Sequence, residues 1–360
     1  MSSSPPLHKK DRALPFTPNA LATGIGSLPH HDPETACQLI WDFFPEIPFW
    51  PQLPKRSPLE NMYYQYAENM PGLVTKEGGG FYIDEGKEDF YRELESFYQA
   101  FLSEDLEAFR ISEAYASGLY TWMKDPEPFR GACAIKGQVT GPVSFGLQVT
   151  QKDRRSILYN DTIRDVMSKQ LLRKAQWQLA IIRRIHPTPI MFLDEPYLSA
   201  YGSAFTSINR ETVTSIFKQL FEGIDSLTGI HCCGNTDWSL VLDSGPDILS
   251  FDAYSFADSL FLYQENLTRF FSNGGIIAWG IVPTNVSDIK KESLESLLKR
   301  LDQAWERLVE LGFDQKRILA QSMITPACGL GSISIEAATE AFRLTRRISE
   351  HIRETFDLVR

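Results

Sequence analysis

Gly229-Ile230-His231-Cys232-Cys233-Gly234-Asn235-Thr236 reads as the end of a buried strand that closes in a polar Gly-Asn turn. Side chains alternate along a strand, so His231 and Cys233 share one face and Cys232 takes the other. An imidazole nitrogen and a thiolate two residues apart on one face can grip a single zinc ion. Far downstream, Thr325-Pro326-Ala327-Cys328-Gly329-Leu330-Gly331 offers Cys328 as a third candidate ligand. Without such partners Cys328 would read as a buried turn cysteine, and Cys232 is expected in the core.

Working outward, further short apolar runs read as strands at residues 22–29, 47–53, 132–137, 189–196, 247–252, 274–281 and 317–322. Helices are expected between most of them. Asp32-Pro33-Glu34 supplies an N-cap, a proline at the first helical position and an acidic first turn. Longer helices are expected over 154–185, 209–227, 287–311 and 335–356. Between residues 84 and 124 lies an insertion. In it Phe90, Leu94, Phe97 and Phe101 recur at helical spacing, as packing residues covering one face of the body.

Eight short apolar strands alternating with helices are the pattern of parallel βα units closed into a TIM (β/α)8 barrel. The expectation is therefore one α/β domain over residues 19–360, with a helical insertion after the second strand and a loose tail over residues 1–18. A doubly wound open sheet is the alternative, but no GxGxxG opens a helix after a strand.

Composition bounds the function. The 360 residues are 43% hydrophobic and 23% charged, an ordinary globular balance. A formal charge of −10, with no basic run, argues against a nucleic-acid partner. Five cysteines at irregular spacing fit reduced thiols in a cytoplasmic enzyme better than a disulfide framework. No apolar stretch reaches membrane-spanning length, so no membrane partner is expected.

The polar residues cluster in one place. Asp194, Glu195, His231, Cys233, Asp252 and Cys328 all fall at the C-terminal ends of expected strands or just beyond. In a barrel those ends share the face that carries the active site. His231, Cys233 and Cys328 on one Zn²⁺ make a formally neutral set with a fourth position for an exchangeable ligand. Two sulfur ligands suit activation of a thiol better than hydrolysis, because zinc lowers a thiol's pKa while leaving the thiolate nucleophilic. Asp194 and Glu195 are the catalytic candidates: one to hold a substrate amine, the other to cap a neighbouring element. The plainer reading is a helix-start pair. Asp252 is placed either as a resting fourth ligand or as the acceptor of an imidazole N–H. His30 and His31 read as rim residues, His30 with a place beside the substrate.

At this point the residues carry a family likeness. The chain resembles the cobalamin-independent methionine synthase and uroporphyrinogen decarboxylase superfamily of TIM barrels. Ile25-Gly26-Ser27-Leu28-Pro29 resembles the opening IGSFP of methionine synthases, and Lys136-Gly137-Gln138-Val139-Thr140-Gly141-Pro142-Val143 resembles their KGMLTGPVT. Leu193-Asp194-Glu195-Pro196 is similar to their IDEP, and Pro326-Ala327-Cys328-Gly329-Leu330 to their PDCGL. The HxCGNT form of His231 to Thr236 is closer to the methylcobamide:coenzyme M methyltransferases, another zinc branch.

The resemblance implies that His231, Cys233 and Cys328 hold zinc, that Gly26 and Ser27 contact the acceptor, and that Asp194 orients it. It implies transfer of a methyl group to a small thiol, homocysteine-like or anionic, from a corrinoid protein or a methylated pterin. The decarboxylases proper lack those cysteines. A metal-independent decarboxylase, with a pocket lined by Arg or Lys, and a non-catalytic corrinoid- or thiol-binding relative are the alternatives.

The chain also departs from the pattern. It has room for one barrel where full-length methionine synthases have two. Asp252 stands where they place a zinc-ligand glutamate, and Trp279-Gly280-Ile281-Val282-Pro283 offers no counterpart of their catalytic histidine. Their acidic residue after the second strand falls at Lys55-Arg56, a reversed charge that suits an anionic thiol better than an ammonium.

Overall fold

The computed structural model describes residues 14–77, 79–202 and 208–358. Most of the expected tail, residues 1–13, therefore lies outside the described residues. The elements are β1 (Leu21–Ala22), a small hairpin β2 (Leu73–Thr75) and β3 (Phe81–Ile83), then β4 (Ile135–Thr140), β5 (Pro189–Asp194) and β6 (Leu227–Cys232). They continue with β7 (Ile248–Phe251), β8 (Ile276–Val282) and β9 (Ser322–Pro326). Seven of them form one parallel sheet in the order β1-β9-β8-β7-β6-β5-β4. Helices fill most of the crossovers, as expected of βα units.

Closure of the barrel differs from the expectation. Residues 47–53 do not form a regular strand. They touch both edges of the sheet through single parallel bridges, Phe49 to Lys136 and Ser27 to Gln52. Lys136 N–H donates to the Pro48 carbonyl at 2.9 Å, and Gln52 N–H to that of Gly26 at 3.1 Å. Pro48 and Pro51 have no N–H to give, so no continuous ladder forms across the gap. The result is a curled seven-stranded sheet, not an eight-stranded closed one.

The last strand also moved. Residues 317–320 lie in a helix, Gln315–Ala320, whose first turn is capped by the Asp314 carboxylate accepting from Arg317 N–H at 2.7 Å. The strand begins only at Ser322 and so delivers Cys328 two residues past its end. The helix expected from 154 starts at Asp161, capped by Asn160. The hairpin β2–β3 directly precedes the insertion, which holds the helix Phe90–Leu102, with Phe90 and Phe97 buried as packing residues. Among the described residues, no helix is long and apolar enough to cross a membrane.

Inside the curl, alternation sorts side chains into layers. Leu21, Ile190, Leu227, Ile248, Ile276 and Met323, together with Ile47 from the bridging segment, form an apolar plug. Phe192 belongs to it, and its ring fills the space that a Cβ on Gly229 would need, 2.3 Å away. One or two inward positions further along come Lys136, Gln138, Asp194, His231, Ser250 and Thr325, all buried. The plug holds the strands together, and the polar layer above it faces the site. Cys232 points the other way into the core between sheet and helices, as its parity requires.

Candidate active site

The ligand atoms of His231, Cys233 and Cys328 lie within 4.8 Å of one another. Strand β6 supplies His231, and Cys233 follows one residue past its end. The third arrives on the turn after β9, where Ala327 N–H donates to the Val282 carbonyl at 2.8 Å. That approach is possible because position 280 is glycine. A Cβ there would sit 2.3 Å from the Phe251 carbonyl oxygen and 2.8 Å from the Ala327 Cα. The turn is then pinned from the far side, with Leu330 N–H donating to the Ser27 carbonyl at 2.9 Å and Gly331 N–H to Ser27 Oγ at 3.3 Å.

His231 Nδ1 lies 2.9 Å from the Ser250 hydroxyl on the neighbouring strand. Its other nitrogen, Nε2, is buried and has no hydrogen-bond partner among the described residues. A buried imidazole nitrogen without a partner is costly unless something occupies it. With Nδ1–H donating to Ser250, Nε2 carries the lone pair a metal takes. The sulfurs tell the same story. A hydrogen bond from the Cys328 thiol holds Cys233 well below the usual thiol range, and His231 adds to this. The same bond, with burial, pushes Cys328 up. The two sulfurs thus sit side by side next to the imidazole.

A cavity of about 470 Å³ opens above the cluster, within the range of small-molecule sites. Ser27, Glu60, Asp194, His231, Cys233 and Cys328 are among its lining residues. Asp194, at the end of β5, is 6% exposed, and its Oδ1 has no partner among the described residues. Burial raises its pKa, against the opposing pull of Lys136 and His231.

Other expected site residues stand elsewhere. Glu195 is fully buried and does not line the cavity. Its carboxylate accepts from Val143 N–H at 2.9 Å, Ser144 N–H at 2.7 Å and the Ser144 hydroxyl at 2.6 Å. It holds the start of helix Pro142–Gln148, a capping task rather than contact with a substrate. Asp252 caps helix Ala253–Leu260 by accepting from Ser255 N–H at 2.8 Å, and it is not in the three-residue ligand cluster. His30 is buried and absent from the cavity lining, as is Gly26, where a Cβ would lie 2.9 Å from Gln52 Oε1. Ser27 does line it.

Of the expected charge reversal at Lys55-Arg56, Lys55 does line the cavity and Arg56 does not. Arg56 is turned onto Glu60 at 2.8 Å, and Lys55 Nζ donates to the Ile333 carbonyl at 2.6 Å. Glu60, which the sequence reading missed, is the acidic side chain on this wall. It is fully buried, its Oε1 accepting from Arg56 and from the Ser117 hydroxyl at 2.7 Å, while Oε2 has no partner among the described residues. Burial raises its pKa, and Ser117 and Arg56 oppose the rise.

No family model matches the chain, and no curated protein does. Among solved structures, its fold is similar to that of a methyltransferase from Methanosarcina mazei, at a TM-score of 0.51 and 13% identity, covering 94% of this chain and 95% of that one. It also overlaps a B12-independent methionine synthase from a Shewanella species, solved with selenomethionine, at a TM-score of 0.46 and 16% identity, covering 66% and 68% of the two chains. The first of these is a likeness of fold alone.

Proposed function

We propose that the chain is a zinc-dependent methyltransferase that transfers a methyl group to a small thiol bearing an ammonium. The observation that carries this reading is the convergence of the His231 imidazole, whose Nε2 has no partner among the described residues, on the sulfurs of Cys233 and Cys328 in the lining of a cavity. One nitrogen and two sulfurs make a donor set that fits zinc and leaves a fourth position. Zinc held there supplies a Lewis acid that lowers the pKa of an incoming thiol, so that the thiolate forms at neutral pH.

The chain's own residues do the rest. Ser250 engages Nδ1 and so leaves Nε2, which has no partner among the described residues, as the nitrogen offered to a metal. Asp194 Oδ1 and Glu60 Oε2 belong to residues that line the cavity and have no donor among the described residues, and an ammonium entering the cavity is a donor that suits either. This favours a homocysteine-like acceptor over the anionic thiol expected from Lys55-Arg56. In the reaction a bond forms between the acceptor sulfur and the methyl carbon while the carbon's bond to the donor breaks. The electron pair stays with the donor and the thiol proton passes to solvent. The donor is a methylated corrinoid protein or a methylated pterin. Among the described residues lining the cavity, Lys55 is the one lysine and there is no arginine, which does not suit a polyanionic decarboxylase substrate.

Calorimetric titration of the zinc-loaded protein tests the reading. Homocysteine is expected to bind with release of about one proton. Mercaptoethanesulfonate, which lacks the ammonium, is expected to bind at least tenfold more weakly. Asp194→Asn and Glu60→Gln should each weaken homocysteine roughly 10–100-fold, the worth of a hydrogen bond to a charged group. Equal affinity for the two thiols would contradict the assignment.

A further inference from the structure

Lys136 has no part in that scheme, yet its position is unusual. It points inward from β4, is fully buried, and makes no ion pair among the described residues. Its Nζ lies between the rings of Phe49 and Phe192, 5.3 and 4.8 Å from their centroids. It donates to the Ile25 carbonyl at 2.5 Å and to Gln138 Oε1 at 3.1 Å. Asp194 is the carboxylate whose charge acts on it. A lone buried ammonium is costly, and a methionine of similar shape would avoid the cost.

The Ile25 carbonyl shows what the cation does. Two residues on, Ser27 receives Leu330 N–H and Gly331 N–H, the turn immediately after Cys328. That turn is packed so closely that a Cβ on Gly329 would lie 2.3 Å from Ser27 Oγ. A hydrogen-bonded relay therefore runs from the interior charge through Ile25 and Ser27 to the turn that carries the third sulfur. We propose that Lys136 is a positioning residue for the metal centre, holding the first-strand loop so that the Cys328 turn keeps its sulfur within reach of His231 and Cys233. The inference rests on the zinc reading of that cluster.

Competition with a chromogenic zinc chelator tests it without any assay of turnover. Lys136→Met is expected to fold, to keep one site, and to bind zinc roughly 10–100-fold more weakly, the usual cost of removing a support behind metal ligands. Ser27→Ala, which leaves the buried charge alone, should weaken zinc in the same direction and serves if Lys136→Met does not fold. Wild-type zinc binding with both variants within twofold of it would overturn the role of Lys136 alone. A wild type that binds no zinc would overturn the metal reading and this inference with it.

Discussion

Among single residues, His231 was the most legible and Lys136 and Glu60 the least. Parity along a strand put His231 and Cys233 on one face, and nothing in the fold disturbed it. Lys136 sits in an apolar run where a lysine would ordinarily mark a strand end, and only the inward layer explains it. Arg56 and Glu60, four residues apart, look like a surface helix pair. Burial of Glu60 against Ser117, far along the chain, is invisible to local pattern. The buried lysines carry a prediction about pH. Burial pushes both Lys136 and Lys174 down to about 8. An ammonium whose folded pKa lies below its unfolded one costs stability while protonated, and the cost is relieved as pH rises through the folded value. Stability should therefore gain from this source between pH 8 and 9. Above that, Cys37 and Cys232, pushed up to about 12, begin to oppose it. In Lys136→Met only the share of Lys174 remains, so the urea midpoint should rise about half as much over this window through these groups, the other terms cancelling in the difference. An identical rise in both proteins would contradict the buried charge.

Among the elements, those with a strong local signal were placed well and those decided by proline or by a cap were not. Residues 47–53 have the hydrophobic content of a strand, but Pro48 and Pro51 take away two of its donors, and the segment spans the gap by single bridges. Ile318-Leu319-Ala320 is as apolar as a strand and is helical, because Asp314 caps it. Both errors sit beside the site, where the chain must turn sharply to bring Cys328 to β6. Gly280 lets β9 approach, so Gly280→Ala should cost about 1–3 kcal/mol of unfolding free energy, as forced overpacking does. Urea unfolding checks this, and a variant as stable as wild type would mean that the contact is readily relieved.

At the scale of the whole molecule, alternation of strands and helices was enough to foresee parallel βα units and a polar face at the strand ends. The fold similarity to the Methanosarcina mazei methyltransferase extends over nearly the full chain. What alternation did not reveal is where the sheet stops. Seven strands curl around an apolar plug, and the bridging segment adds Ile47 to it without completing the ladder. Convergence of ligands nearly a hundred residues apart in sequence depends on this curl, and on it the functional account rests. Zinc content by elemental analysis of the purified protein, wild type beside Cys328→Ser, tests that most directly. The account predicts about one zinc per chain in the wild type and its loss in a folded Cys328→Ser variant. Folded wild-type protein that stays zinc-free when zinc is offered, or a Cys328→Ser variant with full zinc content, would contradict it.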